Sequence, residues 1–485
     1  VVYPAGQTIT VRDGGVGLPS DGTVYPLVVG PSSLGTSSTL YFSTNQNSLR
    51  DTLGQGKAVE LGLPMIKQRG GVLVLKTPAS TAGAAGSVTK VAASTSTGTI
   101  TVAGAAYDDY QAKVRIKATG ALGVARFDFA LDQLAASPSF SEEITVPSGG
   151  TYVIPSTNLT LTFVPGGGPI LFESGDSHTF ACTAPQYTTS DLATAFTALL
   201  ASLGSYIIED VYFCGRSASA AAGATMFAAI DTQMSSLEAR HRWARAMMDV
   251  GADTSANVIT SFVPIASRRI AVAYGTCDVP TLNPHAGWGT PRQSVAFALS
   301  ERAAGCDLSE NLGRKASGLL RVSAIQNDEG TNQQFIESHK INTARTYDGE
   351  AGFFSTNGYL KSPAGSDFLY WDWGRVIDRA CRIVFDTQQQ WLLKKVRVLK
   401  DGSGNIDPRD AVRIEAAVKS ALKDGLTDLI TIEGFASHVA GLQYVVDLTN
   451  NVLTTRQLKS TLRLIPLPPI ESFTTEIGFT GSLAA

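Results

Sequence analysis

Apolar and polar positions change their spacing several times along this chain, and each change predicts a different element. Near the start, Ile9 and Val11 alternate with Thr8, Thr10 and Arg12 before the turn-rich DGGVGLPSDG, which predicts a strand on an extended arm without a partner of its own. TVYPLVVGPS (23–32) reads as a buried strand closed by Gly-Pro, NSLRDTLGQG as a helix and GGVLVLK as a second apolar strand. Strand, helix, strand predicts an α/β layer. From about residue 78 to 188 short alternating Val, Ile and Thr runs are separated by Gly, Pro and Ser, as in TGTITVAG and SGGTYVIPSTNLTLTFVPGGG. That texture predicts an all-β domain inserted between α/β parts.

The helical period returns at 189, where TTSDLATAFTALLASLGS offers Ser190 or Asp191 as N-cap and Gly204 as a stop. YIIEDVYFCG follows as a strand. A helix is then expected over about 225–248, because Phe227, Ile230, Met234, Leu237, His241, Ala244 and Met248 recur in steps of three and four. On that stripe His241 is expected to be a packed core residue, and Glu238 with Arg242 an ordinary surface pair. ANVITSFVPIASRRIAVAYG (256–275) predicts one or two buried strands. A turn-rich passage leads to a helix near 372–394, with Trp373, Ile377, Ala380, Val384 and Trp391 on one side. Further on, Asp407 and Pro408 mark the start of another helix. Strands are predicted at LQYVVDLTN and TLRLIPLPP, and a last one at ESFTTEIGF, where Phe473, Thr475, Ile477 and Phe479 share a face. Strands therefore lie outside the main domains at both ends.

Length and composition limit what these elements can do. A chain of 485 residues, 44% hydrophobic, can bury large cores and divides into roughly two to four domains. Charged residues make up 17% and the net charge is −3, so there is no broad basic field to hold nucleic acid. Low charge combined with 47 glycines suits surfaces that end up against neighbours. The five cysteines (Cys182, Cys214, Cys277, Cys306, Cys381) are scattered and lack metal-ligand spacing, which predicts buried, reduced thiols. No apolar run is long enough to insert into a membrane, and the first residues lack the pattern of a signal peptide, so the chain is expected to be made in the cytosol.

Tests for catalytic chemistry fail in turn. The sequence has no phosphate-cradling Gly-x-x-x-x-Gly-Lys, no His-Glu-x-x-His and no Gly-x-Ser-x-Gly. GVGLPS has Ser20 where a dinucleotide fingerprint needs its third Gly, and no apolar strand precedes it. DGSGNIDPRDAV starts like a calcium loop, but Ile406 and Val412 stand where Gly and Glu are required, so a hairpin turn before a capped helix is the better reading. Glu142/Glu143, Glu209/Asp210 and Asp108/Asp109 are adjacent carboxylates, not demonstrably facing ones. A structural role is expected, with no enzyme activity and no cofactor or metal.

INTARTYDGEAGFFSTNGYL followed by GSDFLYWDWGRVIDRACRIVFD resembles the tail sheath proteins of contractile phages and related injection machines. YPLVVGPS, LEARHRWARAMMDVGADTS, SRRIAVAYG, NIDPRDAVRIEAAVKSAL and FTTEIGF extend the resemblance, in order, over 23–76 and about 189 to the end. The stretch 78–188 is not covered; in such proteins it is a variable outer insertion. The fold class implied is an α/β (α+β) sheath core with an inserted all-β domain and extended terminal strand arms. Its parts would be an N-terminal arm (1–20), the first part of the core (21–77), the outer β domain (78–188), the rest of the core (189–466) and a C-terminal strand arm (467–485).

The resemblance also implies a function. Copies would polymerise as helical stacks of six-fold rings around an inner tail tube, then contract to drive the tube through a host envelope. Expected partners are other copies, the tube protein, and baseplate and tail terminator proteins, in a virion tail assembled in the bacterial cytoplasm. Ile9, Val11, Phe473, Ile477 and Phe479 would carry the arms into neighbouring sheets. Arg345, Asp348, Arg375 and Asp378 would form a polar network fixing the corner before the long helix, with Gly349 and Gly352 supplying positive φ. The charge on the 408–424 helix makes Arg409, Lys419 and Lys423, alongside Arg413, candidates to grip an oppositely charged tube, although an ordinary solvated helix face is the favoured reading of the same residues. Two rival readings are a glycan-degrading tail enzyme and a receptor-binding module, both using the β domain.

Overall fold

The structure is a computed structural model that describes residues 24–91, 96–134, 138–167, 171–204, 206–215, 217–280, 292–327, 338–426 and 439–469. Ile9, Val11, Phe473, Ile477 and Phe479 lie outside the described residues.

The first apolar run forms β1 (Val24–Gly30), followed by β2 (Thr39–Ser43), α1 (Gln46–Leu53), α2 (Lys57–Arg69) and β3 (Val72–Lys76). After the β-rich stretch come α3 (Thr189–Ser202), β4 (Ile207–Phe213), α4 (Ala220–Glu238), β5 (Arg245–Asp249), α5 (Ser255–Phe262) and β6 (Ile270–Ala273). The six strands make one sheet in the order β6-β5-β4-β1-β3-β2, parallel except for β2, which runs against β3.

Strand alternation explains why both faces of this sheet are covered. Leu27, Val29, Leu73, Leu75, Val211 and Val272 point to the face on which α3, α4 and α5 pack. Their neighbours Val28, Val72, Val74, Tyr212, Met247 and Ala271 point the other way, onto α1, α2 and α6 (Val295–Gly305). With both faces buried, the strands read as continuous apolar runs instead of alternating ones.

Several elements depart from the sequence reading. The expected 225–248 helix is α4, which starts earlier, at a Ser219 cap, and stops at Glu238. The chain then takes a positive φ at His241, and Met248 lies in β5. His241 is exposed and stacks on Phe385 at 4.1 Å, instead of packing in a core. Glu238 pairs with Arg268 and Arg269 rather than Arg242. Of the one or two strands expected over 256–275, β6 is present, and the part before it is a helix, α5, capped by Thr254. The cap of α3 is Thr188, two or three residues before the expected one, in a reciprocal box with Asp191. β2, α2 and α6 were not expected at all.

Between β3 and α3, Gln111–Ala118 pairs antiparallel with both Arg126–Ala130 and Ser177–Thr183. Leu159–Val164 lies between Thr99–Ala103 and Thr151–Ile154. These strands enclose their own cluster, including Val114, Phe127, Phe129, Phe163 and Phe180, separate from the clusters on either side of the large sheet. Where the two regions touch, Lys57 at the start of α2 is buried with Asp108 at 2.7 Å and Asp109 at 2.8 Å. Burial opposes the Lys57 charge, but the two carboxylates outweigh it and hold the ammonium well above its ordinary value.

Downstream, α7 (Trp371–Gln389) and α8 (Pro408–Leu426) pack on a hairpin of Val439–Val446 and Ser460–Pro466. Val376, Ala380, Ile414, Val418, Leu422 and Tyr444 form the core there. Asp407 caps α8 by accepting the backbone N–H of Arg409, as the sequence predicts. No described helix is long and apolar enough to cross a membrane.

Candidate functional site

The polar stretch 341–360 is the seam that attaches α7 to the large sheet. Asn342 extends the sheet through a parallel bridge to Ala273 of β6. Its side-chain amide donates to the carbonyls of Val272 (3.0 Å) and Tyr359 (2.8 Å), and its Oδ1 accepts from the Tyr359 N–H at 2.6 Å. Thr343 donates from Oγ1 to the Tyr274 carbonyl at 3.1 Å, and Thr356 from Oγ1 to the Thr343 carbonyl at 3.1 Å. These buried side chains satisfy backbone groups that a two-residue strand would leave open.

Arg345 and Asp348 sit at the far end of this seam. Ala344–Arg345 pairs with Phe354–Ser355, and Tyr347 meets Phe354 edge-on at 5.0 Å. Gly349 and Gly352 take φ of 78° and 100° in the intervening turn, as expected. A Cβ on Gly352 would lie 2.7 Å from Leu319, whereas one on Gly349 would meet nothing within 4 Å.

Arg375 and Asp378 do not join that hairpin in a four-membered network. Both project from α7 toward strands β4 and β5. Arg375 is fully buried; its Nη2 lies 3.2 Å from Glu209, its Nε lies 3.4 Å from Asp210, and its Nη1 donates to the Asp307 carbonyl at 3.0 Å. Two turns on, Arg382 reaches Glu209 at 2.8 Å and donates to the carbonyls of Ile208 and Trp243. Asp378 pairs with Arg245 of β5 at 2.8 Å, and Arg245 also donates to the Gly374 carbonyl at 3.1 Å. The acids nearest to Arg375 in space lie some 166 positions away in sequence, beyond the reach of any local pattern.

The electrostatics of this clamp are uneven. Burial would raise the Glu209 carboxyl, but Arg375 and Arg382 outweigh it and hold the group at about 2. Asp210 is pushed up to about 6, by burial first and by neighbouring Glu209, against the pull of Arg375. Burial likewise lifts Asp378 to about 6 despite Arg245, and Asp372 to about 7. Arg375, Glu209 and Asp210 are all at least nine-tenths buried, so the cluster anchors a helix and has no room to receive a substrate. Glu209 and Asp210 are the members the sequence reading left unassigned, although two acids inside an apolar strand were the visible signal.

α7 has a second face. While Arg375 and Trp371 look toward the sheet, with Trp371 stacked 6.3 Å from Tyr212, Val376 and Ala380 look toward α8 and the hairpin. One helix thus couples the α/β sheet to the C-terminal layer. The hairpin is two-stranded among the described residues, so the outer edge of each strand is unpaired there. Arg409 and Lys423 are exposed on α8, and Lys419, half-buried, pairs with Glu415 at 3.1 Å.

A parallel sheet covered on both faces, an intervening β-rich region and a clamped C-terminal layer define the class of fold, and a chain of known structure shares it. The chain is similar to a chain of the anti-feeding prophage baseplate in its contracted state, with 10% identity, 99% of this chain and 98% of that one covered, and a TM-score of 0.51. It is also similar to sheath tail proteins from Listeria innocua (10% identity, 92% and 96% covered, TM-score 0.45) and Desulfitobacterium hafniense (12%, 94% and 100%, 0.46). The family model "DUF2586, N-terminal domain" matches residues 7–359, well over half of the sequence, and the chain belongs to that family. No curated protein matches it.

Proposed function

We propose that this chain is a structural, non-enzymatic subunit of a contractile injection machine, the sheath that surrounds an inner tube. The observation that carries the reading is the two-stranded C-terminal hairpin. Its outer edges offer unpaired backbone groups, and the chain contains two further alternating segments, around Ile9 and Val11 and around Phe473, Ile477 and Phe479, suited to pair with such edges in other copies. Exchange of strands between copies in a head-to-tail sense generates an open helical stack, here of six-fold rings. The fold shared with a chain of a contracted baseplate supports the same reading.

In this mechanism the copies assemble around the tube in an extended state. They then rotate into a shorter, wider packing while the exchanged strands keep neighbours joined, and the gain at many interfaces adds along the stack. The β-rich region with its separate core is an inserted all-β domain on the outside. Arg409, Lys419 and Lys423 of α8 face the tube; baseplate and terminator proteins cap the two ends. The Arg345–Gly349 turn acts as a structural corner that holds the seam.

Electron microscopy of the purified full-length protein tests this reading. Rings or tubes are expected, and removal of residues 1–20 and 467–485 together is expected to leave only monomers. Ordered cylinders from the doubly trimmed chain, or a monomer at every concentration of the intact one, overturn it.

A further inference from the structure

A cavity of about 300 Å³ lies at the junction of the parallel sheet and the β-rich region. It sits at the carboxyl ends of the adjacent parallel strands β1 and β3, where Gly30 pairs with Lys76. The residues that follow the two strands, 31–33 and Thr77, line it together with Gly56 from the core and Ala106 and Tyr107 from the β-rich region. Crevices at the carboxyl ends of parallel strands are where open α/β sheets hold ligands. Lys76 is the only charged residue among the described residues that line this one.

Its walls supply hydrogen-bond donors that the protein itself does not fully use. The Lys76 ammonium donates to the carbonyls of Leu34 at 2.9 Å and Gly35 at 2.8 Å, which leaves one of its N–H groups. Burial lowers that ammonium from its ordinary value, and no carboxylate lines the cavity to offset the effect. Thr77 is 1% exposed, and its Oγ1 has no hydrogen-bond partner. A buried hydroxyl in that state is destabilising unless something in the cavity accepts from it. The third source is the N-terminus of α2, where Gly56 offers no side-chain cap and a Cβ would crowd the Pro31 carbonyl oxygen at 3.2 Å. The Ala58 N–H reaches that carbonyl only at 3.4 Å, and the helix dipole adds positive character at the same end. Asp108 and Asp109, next in sequence to Tyr107, are already engaged by Lys57.

We propose that this cavity binds a phosphate group, as the free ion or as the end of a small ester, through the Lys76 ammonium, the Thr77 hydroxyl and the opening N–H groups of α2. Donors supplied by a strand end, the residue after it and a helix N-terminus suit a tetrahedral oxyanion, which presents acceptors in several directions, better than a planar carboxylate. A monatomic ion would leave most of the 300 Å³ unfilled. Because the walls come from the sheet and from the β-rich region, a phosphate held there bridges the two. The proposal stands independently of the sheath reading.

Equilibrium dialysis of the full-length protein against radiolabelled phosphate, at an ionic strength held constant with sodium chloride, is the test. Saturable binding of about one phosphate per chain is expected. Thr77→Val keeps the shape of the side chain and removes only the atom without a partner. It is therefore expected to weaken binding about tenfold with no loss of thermal stability in phosphate-free buffer. Lys76→Gln is expected to weaken binding by roughly thirtyfold or more; should that variant fail to fold because Leu34 and Gly35 lose their anchor, Thr77→Val decides alone. Unlabelled glycerol 3-phosphate that displaces the label at lower concentration than phosphate does would assign the site to an ester, and displacement only at equal or higher concentration would assign it to the free ion. Absence of saturable binding, or equal affinity in the parent chain and Thr77→Val, overturns the proposal.

Discussion

Replacing Arg375 by Met tests whether α7 is held to the sheet by its buried charges. The guanidinium has no exposure to water and contacts Glu209 at 3.2 Å, Asp210 at 3.4 Å and the Asp307 carbonyl at 3.0 Å. In the variant Glu209 keeps Arg382 at 2.8 Å, but Asp210 loses the cation that opposes its burial. Breaking one side of a buried ion pair costs about 3–5 kcal/mol, which lowers the melting temperature of a unit this size by on the order of 10 °C. The loss must depend on pH. Asp210 is already pushed up to about 6, so at pH 5 it is mostly neutral and its missing partner matters little, whereas at pH 8 an unpaired carboxylate is buried. Tryptophan fluorescence, to which fully buried Trp371 contributes beside this cluster, is a suitable readout for thermal melts at the two pH values. Variants with Asp210→Asn added to Arg375→Met are expected to recover part of the loss at pH 8. A melting shift below about 2 °C, or one of equal size at pH 5 and pH 8, would refute the clamp.

Lys57→Met removes the cation between Asp108 and Asp109, and faster limited proteolysis around residues 184–188 is expected, with partial rescue by Asp108→Asn and Asp109→Asn; unchanged cleavage would show that the triplet does not seat the β-rich region. Asp378, raised to about 6, binds a proton more readily folded than unfolded, so its contribution to stability is complete below its ordinary carboxylate value and is lost as pH rises to about 6. Glu209 acts oppositely: its contribution is present above the ordinary value and lost as pH falls toward 2. In urea titrations Asp378→Asn is therefore expected to flatten the decline between pH 4 and pH 7. Gly349→Ala should cost only the positive-φ penalty of about 1 kcal/mol, while Gly352→Ala adds a clash with Leu319 and should cost clearly more; equal denaturation midpoints would contradict this.

Much of the large sheet was legible because strands buried on both faces are short apolar runs with sharp ends, as in YPLVVG and GVLVLK. Helix boundaries were less so. Ala244 and Met248 continue the stripe of Phe227, Ile230 and Met234 by coincidence of spacing, and nothing in the periodicity reveals the positive φ at His241 that ends it. α2 escaped notice because it is buried almost all round and contains Gly62 and Pro64, so it has neither a polar face nor an uninterrupted run of helix formers. In α5, β-branched Val258 and Ile259 suggested a strand, although the Thr254 cap was present to read. The polar sites divide the same way. The turn glycines follow from local backbone chemistry, but the partners of Arg375 and Asp378 depend on how β4 and β5 come to lie beneath α7. Local sequence holds no record of that.

The aromatic cluster built around Phe127, Phe129 and Phe163 shares no member with the clusters flanking the parallel sheet. Foreign sequence grafted at the tips of those antiparallel strands, such as the turn around Gly150, is expected to perturb that separate cluster more than the clusters beside the parallel sheet. An epitope or affinity handle placed there turns the chain into a scaffold that can be decorated without redesigning its body.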